Sequence, residues 1–210
     1  VAQDIERFGA QGITIHPRPD ERHIRYQDAR DLKNTVTTEF NIEGNPVKSF
    51  MDLVLEIKPT QVTLVPDKDN AITSTAGWDT IKHNSFLKEV IQEFQQNGIR
   101  TSIFIDTNTS FIEAAAKIGT DRIELYTEYF ASEFEKGNKE AIKSYTEAAI
   151  LAHKLGLGIN AGHDLSLKNI EFFKQNIPNL DEVSIGHALI AESLYLGLEN
   201  VVNMYIHRLQ

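Results

Sequence analysis

Short apolar runs alternate with longer amphipathic stretches along the whole chain. Seven runs rich in Ile, Val, Leu or Thr stand out: GITIH from Gly12, EFNIE from Glu39, QVTLVPD from Gln61, IRTSIFID from Ile99, TDRIELYTE from Thr120, GLGINAGH from Gly156 and DEVSIGH from Asp181. Each reads as a strand closed by a polar or charged residue. Between them, apolar residues recur at helical spacing in VAQDIERFGA, over about 28–36, in VKSFMDLVLEIK up to Pro59, and in HNSFLKEVIQEFQQNG and TSFIEAAAKIG. The same spacing marks helices over about 139–155, in SLKNIEFFKQN and over 188–209. The segment 129–140, YFASEFEKGNKE, lacks this periodicity and reads as a long loop with at most a turn of helix. A second polar loop, DNAITSTAGWD, is longer than a minimal connection needs, which marks it as functional.

Strand, helix, strand, helix at these lengths predicts a parallel sheet, because parallel neighbours need a crossover. The count suits a single (β/α)8 TIM barrel domain spanning residues 1–210. Its first strand is expected upstream, since VAQDIERFGAQG reads as the end of a helix running straight into a strand and Val1 is not an initiator methionine. The rival is an open doubly wound sheet. The first strand-to-helix turn carries no GxGxxG, and the polar strand ends are spread evenly instead of gathering at one switch point, which favours the barrel.

Composition narrows the function classes. A chain of 210 residues, 41% hydrophobic, has enough apolar material for one sizeable core. The formal charge of −9 comes without a lysine or arginine cluster, which argues against nucleic acid and anionic membrane as partners. No run approaches a membrane span and no basic leader precedes an apolar segment, so the expected location is cytoplasmic. Cysteine is absent from the sequence, which removes thiolate nucleophiles and disulfides.

Chemistry then falls to strand ends. In GLGINAGHD the small residues Ala161 and Gly162 let the backbone approach a ligand, and His163 follows them. If the strands form a barrel, His16, Glu43, Glu124 and His163 converge on one mouth, where imidazoles and carboxylates pass protons near neutral pH. Singly, each has a plainer reading: His16 as a hydrogen-bonded structural group, Glu124 as a salt-bridge member inside the barrel. Arg18, His23 and Thr73 are donors on loops over the same mouth. Gly186 and His187, just before the last helical region, suit a phosphate cradle built from free backbone amides, with Asp164 offering only its amide because its carboxylate would repel an anion. A metal on His16, His163 and His187 lacks any HxH or HExxH spacing, and no metal is expected.

In order along the chain, GITIHPRPDERHI, the NIE strand end, LVPDKDNAITSTAGWD, SIFID, IELYTE, NAGHDLS and IGHALI resemble the pyridoxine 5′-phosphate synthase family, PdxJ. The resemblance implies condensation of 1-deoxy-D-xylulose 5-phosphate with 3-amino-2-oxopropyl phosphate to give pyridoxine 5′-phosphate, inorganic phosphate and water. It implies no cofactor, and assembly as a homo-octamer. Carried over, it makes His16 and Glu43 proton acceptors, His163 the proton donor and Glu124 the acid that stabilises the transition state. Arg18, His23 and Thr73 then contact the deoxyxylulose phosphate, and Asp164, Gly186 and His187 the aminoketone phosphate. The family's first strand carries an Asn and an Asp-His pair, with an Arg beyond, that have no counterpart in residues 1–210, and position 164 is Asp where some relatives have Gly. Another phosphate-binding biosynthetic barrel, or a ligand-binding barrel without catalysis, are the alternatives the residues leave open. The segment 67–78 is the candidate lid.

Overall fold

A computed structural model of the chain describes residues 1–67 and 73–210. The elements run α1 (Ala2–Arg7), β1 (Gly12–Ile15), α2 (Tyr26–Lys33), β2 (Glu39–Gly44), α3 (Lys48–Ile57), β3 (Gln61–Leu64), α4 (Asn84–Gln96), β4 (Arg100–Ile105) and α5 (Thr109–Ile118). They continue with β5 (Arg122–Tyr126), α6 (Glu128–Glu135), a 3₁₀ turn (Lys139–Ala141), α7 (Ile142–Lys154), β6 (Gly158–Gly162), α8 (Ile170–Asn176), β7 (Leu180–Ser184), α9 (His187–Leu196) and α10 (Leu198–Leu209).

The seven strands lie side by side in sequence order and every pair is parallel. A doubly wound sheet reverses its strand order at a switch point, and this one does not. The sheet curls until Thr14 Oγ1 on β1 is 3.5 Å from Ser184 Oγ on β7, although no strand ladder joins those two edges. The result is a nearly closed TIM-type barrel of seven strands. Among the described residues no helix is long and apolar enough to cross a membrane.

Period-two alternation explains which way each side chain points. Ile13, Ile15, Phe40, Ile42, Val62, Leu64, Ile103, Ile105, Ile123, Leu125 and Ile159 are buried in the main core together with Phe50, Leu53, Leu87, Phe94, Phe130 and Phe173 of the surrounding helices. The interleaved positions face inward and are mostly polar, Phe104 being an exception. A β4 side chain reaches β2 and β7 only across the barrel, and Arg100 does so: it pairs with Glu39, and its Nη2 lies 3.0 Å from Glu182 Oε1. Arg122 Nη1 meets the same oxygen at 3.0 Å, and Asn160 Nδ2 donates to Glu182 Oε2 at 2.8 Å. Gln61 accepts from Arg100 Nε at 2.8 Å. This layer at the amino ends of the strands matches each charge with an opposite one, the condition under which partly buried ions are tolerated.

Four expected boundaries differ. The stretch 129–140 holds α6 in place of a loop, because Phe130 and Phe134 project from one face onto Phe172, Phe173 and Tyr145. Asp28 is not the start of α2 but its third residue, accepting from the Arg25 backbone N–H at 2.9 Å, so the helix begins at Tyr26. Residues 166–169 form a turn closed by Ser166 and Asn169 ahead of α8. The terminal helical region is two helices, broken at Gly197, whose φ of +84° favours glycine.

Candidate active site

The barrel's carboxyl mouth gathers side chains from four strands and two loops. His16 follows β1 directly, and its ring lies between two acids: Nδ1 is 3.8 Å from Glu43 Oε2 on β2, and Nε2 is 3.9 Å from Asp67 Oδ2 beyond β3. These separations are longer than hydrogen bonds and within ion-pair reach. Arg18 is buried and donates from Nη1 to Asp67 Oδ2 at 2.9 Å.

Burial sets the protonation of this group. The Glu43 side chain is 16% exposed, and its Oε1 has no hydrogen-bond partner among the described residues. Desolvation, then the Asp67 charge, push its carboxyl up to about 7, with Arg18 opposing. His16 moves the other way, down to about 4, chiefly through desolvation and then the Arg18 charge, against the pull of Asp67. The ordinary order is therefore inverted: near neutrality the carboxyl holds a proton more readily than the imidazole. Glu124, on β5 beneath the mouth, is buried with an Oε2 that has no partner among the described residues, and burial followed by the Glu43 and Glu182 charges raises it well above the carboxylate range. Gly162 makes room for it, since a Cβ there would sit 2.2 Å from Glu124 Oε1.

His163 forms the opposite wall. It and Asp164 have φ of +81° and +59°, a left-handed pair made by non-glycine residues. The Thr127 hydroxyl donates to the carbonyl oxygens of Gly162 and His163, and the Thr127 N–H donates to Gly162 at 3.1 Å, holding that turn in place. The imidazole is held at both nitrogens: Nδ1 is 3.0 Å from Asp164 Oδ2 and Nε2 is 2.9 Å from Thr73 Oγ1. A carboxylate only accepts, which assigns Nδ1–H and leaves Nε2 facing Thr73. The Tyr126 ring packs edge-on against His163, with 4.9 Å between centroids. Burial, aided by nearby carboxylates, pushes the Tyr126 phenol up to about 12, and its hydroxyl donates to the Ser74 carbonyl at 3.1 Å.

Ser74 ties the walls together, because its hydroxyl also donates to Asp67 Oδ2 at 2.9 Å. The strap carrying Thr73 and Ser74 is pinned where Trp78 donates from its backbone to Phe104 and from Nε1 to Leu64. Gly77 passes so close to β4 that a Cβ would lie 2.4 Å from Ile105 Cα. Of the candidate lid 67–78, positions 68–72 lie outside the described residues.

Eight of the ten candidate residues thus have defined places at or near the mouth: His16, Arg18, Glu43, Thr73, Glu124, His163 and Asp164 in or under the cluster, and His23 on the loop above, exposed and accepting from Arg22 Nε at 3.2 Å. Gly186 and His187 are exposed at the end of β7, where they open α9, and no hydrogen bond or ion pair among the described residues links them to the cluster. The Asp164 carboxylate engages His163, a contact separate from the amide role expected of it. Asp67, Ser74 and Tyr126 were not among the candidates. The end of the run QVTLVPD marks the first of these; nothing local marks the other two.

A parallel barrel with acids and bases at its carboxyl mouth belongs to the (β/α)-barrel enzymes, and solved structures agree on the fold. The chain superposes with a TM-score of 0.69 on 3-keto-L-gulonate-6-phosphate decarboxylase from Vibrio cholerae, at 10% identity, covering all of this chain and 89% of that one. With phosphoribosylanthranilate isomerase from Thermotoga maritima the score is 0.65 at 13% identity, over 100% and 93%. Sequence is far more specific. The model of the family described as pyridoxal phosphate biosynthesis protein PdxJ matches residues 1–210, and the chain belongs to that family. It is 73% identical over 210 residues to pyridoxine 5′-phosphate synthase of Flavobacterium johnsoniae, covering 100% of this chain and 89% of the relative. To the enzyme of the same name from Cytophaga hutchinsonii it is 65% identical, over 100% and 88%.

Proposed function

We propose that the chain is a pyridoxine 5′-phosphate synthase of vitamin B6 biosynthesis, condensing 1-deoxy-D-xylulose 5-phosphate with 3-amino-2-oxopropyl phosphate to release pyridoxine 5′-phosphate, inorganic phosphate and water. The observation that carries this reading is end-to-end similarity to relatives of that name, joined to an acid/base cluster of the kind the reaction needs. Forming the ring requires an imine, loss of phosphate, addition of water, carbon–carbon closure and dehydration, with a proton moved at nearly every stage. Several proton-transfer groups round one mouth serve that sequence better than a single nucleophile.

His16 and Glu43 are the proton acceptors. Burial keeps the imidazole neutral, and the carboxyl ionises near neutrality, so both are available as bases at working pH. His163 is the donor, presenting Nε2 while Asp164 on Nδ1 stabilises the imidazolium. Glu124 stabilises the transition state from below. Arg18, His23 and Thr73 hold the deoxyxylulose phosphate. Asp164, Gly186 and His187 hold the aminoketone phosphate, with the amino end of α9 supplying backbone amides. The proposed location is cytoplasmic.

Protein supplied with both phosphates is expected to release inorganic phosphate and form a product with pyridoxine-like fluorescence. Either substrate alone should give none. Phosphate release without that product would overturn the assignment. The proposed assembly is a homo-octamer, supported by Leu194 and Tyr195 of α9, which are 80% and 90% exposed in the single chain. Light scattering should return about eight chain masses, and a monomeric mass would end that proposal.

A further inference from the structure

We propose that Asp67 is a positioning residue for this site, its one carboxylate aiming the Arg18 guanidinium and deciding how protons divide between His16 and Glu43. This rests on the reading of His16 and Glu43 as proton acceptors and of Arg18 as an anion holder. It adds a residue to which that reading gives no role.

Asp67 is held from three sides. Oδ2 accepts from Arg18 Nη1 and from Ser74 Oγ, both at 2.9 Å, and the backbone carbonyl accepts from Asn45 Nδ2 at 2.6 Å. The residue is 8% exposed. Loops following β1, β2 and β3 thus meet on this residue, and the strap following residue 72 joins them through Ser74. Arg18 is buried as well, so the hydrogen bond to Asp67 fixes where its guanidinium points.

The charge pattern gives the second role. One imidazole lies between two acids, with Glu43 at 3.8 Å on Nδ1 and Asp67 at 3.9 Å on Nε2. Arg18 bonds to Asp67, the acid across the ring from Glu43. Glu43 is left largely buried, facing an anion, with Oε1 unpartnered among the described residues. Under those conditions a carboxyl keeps its proton, and removing the neighbouring anion should release it. Other charges face the group as well: Arg22 and His23 act on His16 from the same loop, Glu124 couples to Glu43 from β5, and the Tyr126 phenol is pushed up partly by Asp67. None of these lies within ion-pair distance of both His16 and Arg18, as Asp67 does.

A tether without an electrostatic role would survive replacement by asparagine, which keeps an accepting oxygen for Arg18 and Ser74. The test is therefore Asp67→Asn beside Asp67→Glu, read first in the free protein by carbon NMR of the glutamate carboxyl groups, with Glu43→Gln used to assign the Glu43 signal. Asp67→Asn should move the Glu43 titration to lower pH by about one unit, and Asp67→Glu should leave it within a few tenths. In turnover the acidic limb of kcat/KM should move the same way in the Asn variant and return in the Glu variant. If the Asn variant does not fold, Asp67→Ser removes the same charge with a smaller side chain. An unmoved Glu43 titration in a folded neutral variant, or an equal shift in both variants, would overturn the role. The NMR arm needs no substrate, so a wild-type protein that makes no pyridoxine 5′-phosphate would sink the assigned reaction without touching this result.

Discussion

Glu43→Gln is expected to lower turnover by about 100- to 10,000-fold, the usual contribution of a positioned acid or base, with substrate affinity changed only a few-fold. The same substitution should make the protein more stable in mild alkali. In the folded chain burial and the Asp67 charge push the Glu43 carboxyl from 4.5 up to about 7. A group raised in this way favours folding below its unfolded value, and that contribution is lost as pH rises through the folded value. Between those limits the loss amounts to about 3 kcal/mol at 1.36 kcal/mol per pH unit, an upper figure because the side chain is partly exposed. Glutamine does not ionise, so urea unfolding should show Glu43→Gln more stable than wild type above pH 7, and by less at pH 5.

His16 runs in the opposite direction. Its folded value is depressed from 6.5 to about 4, so its contribution is present above 6.5 and lost as pH falls through about 4. In the wild type the two slopes offset one another between roughly pH 4.5 and 6.5. Removing Glu43 should uncover the histidine slope, with stability rising across that interval. A variant whose stability follows pH as the wild type does would show that Glu43 is not the buried acid of this mouth.

Glu43 is legible in the sequence itself, and the reason is local. Glu43 ends the run FNIEG, where alternation points Phe40 and Ile42 outward and Asn41 and Glu43 inward. His16, Glu124 and His163 are visible on the same ground, as polar residues at the ends of apolar runs. What stayed hidden depends on closure of the sheet. Gln61 and Arg100 face one another on neighbouring strands β3 and β4, but only curling of the sheet brings Glu182 of β7 to them as one charged layer. The tie made by Ser74 between Asp67 and Tyr126 likewise spans 52 residues of chain on one side and 7 on the other. The pairing of the Asp164 carboxylate with the adjacent imidazole was not legible, because it depends on the left-handed turn at both residues. The helix α6 was missed because its stability comes from an aromatic cluster contributed by α7 and α8, not from its own pattern.

His163→Asn should cost a similar 100- to 10,000-fold in turnover, and the backbone makes it a cleaner test than alanine. At φ +81° most side chains are strained by about 1 kcal/mol or more, whereas asparagine enters the left-handed region readily. The hydrogen bonds from Thr127 to the carbonyls of Gly162 and His163 involve no part of the imidazole and remain available in the variant. Unfolding midpoints should therefore stay at or slightly above the wild-type value. What disappears is an imidazole oriented at both ends, by Asp164 on Nδ1 and Thr73 on Nε2, and the amide that replaces it is not a proton donor of comparable acidity. Substrate binding measured by calorimetry should change little, because the proposed phosphate anchors, Arg18 and the amino end of α9, lie elsewhere. Wild-type turnover from a folded His163→Asn protein would move the donor role to another group, the Tyr126 phenol being a weaker acid than usual because burial pushes it up to about 12.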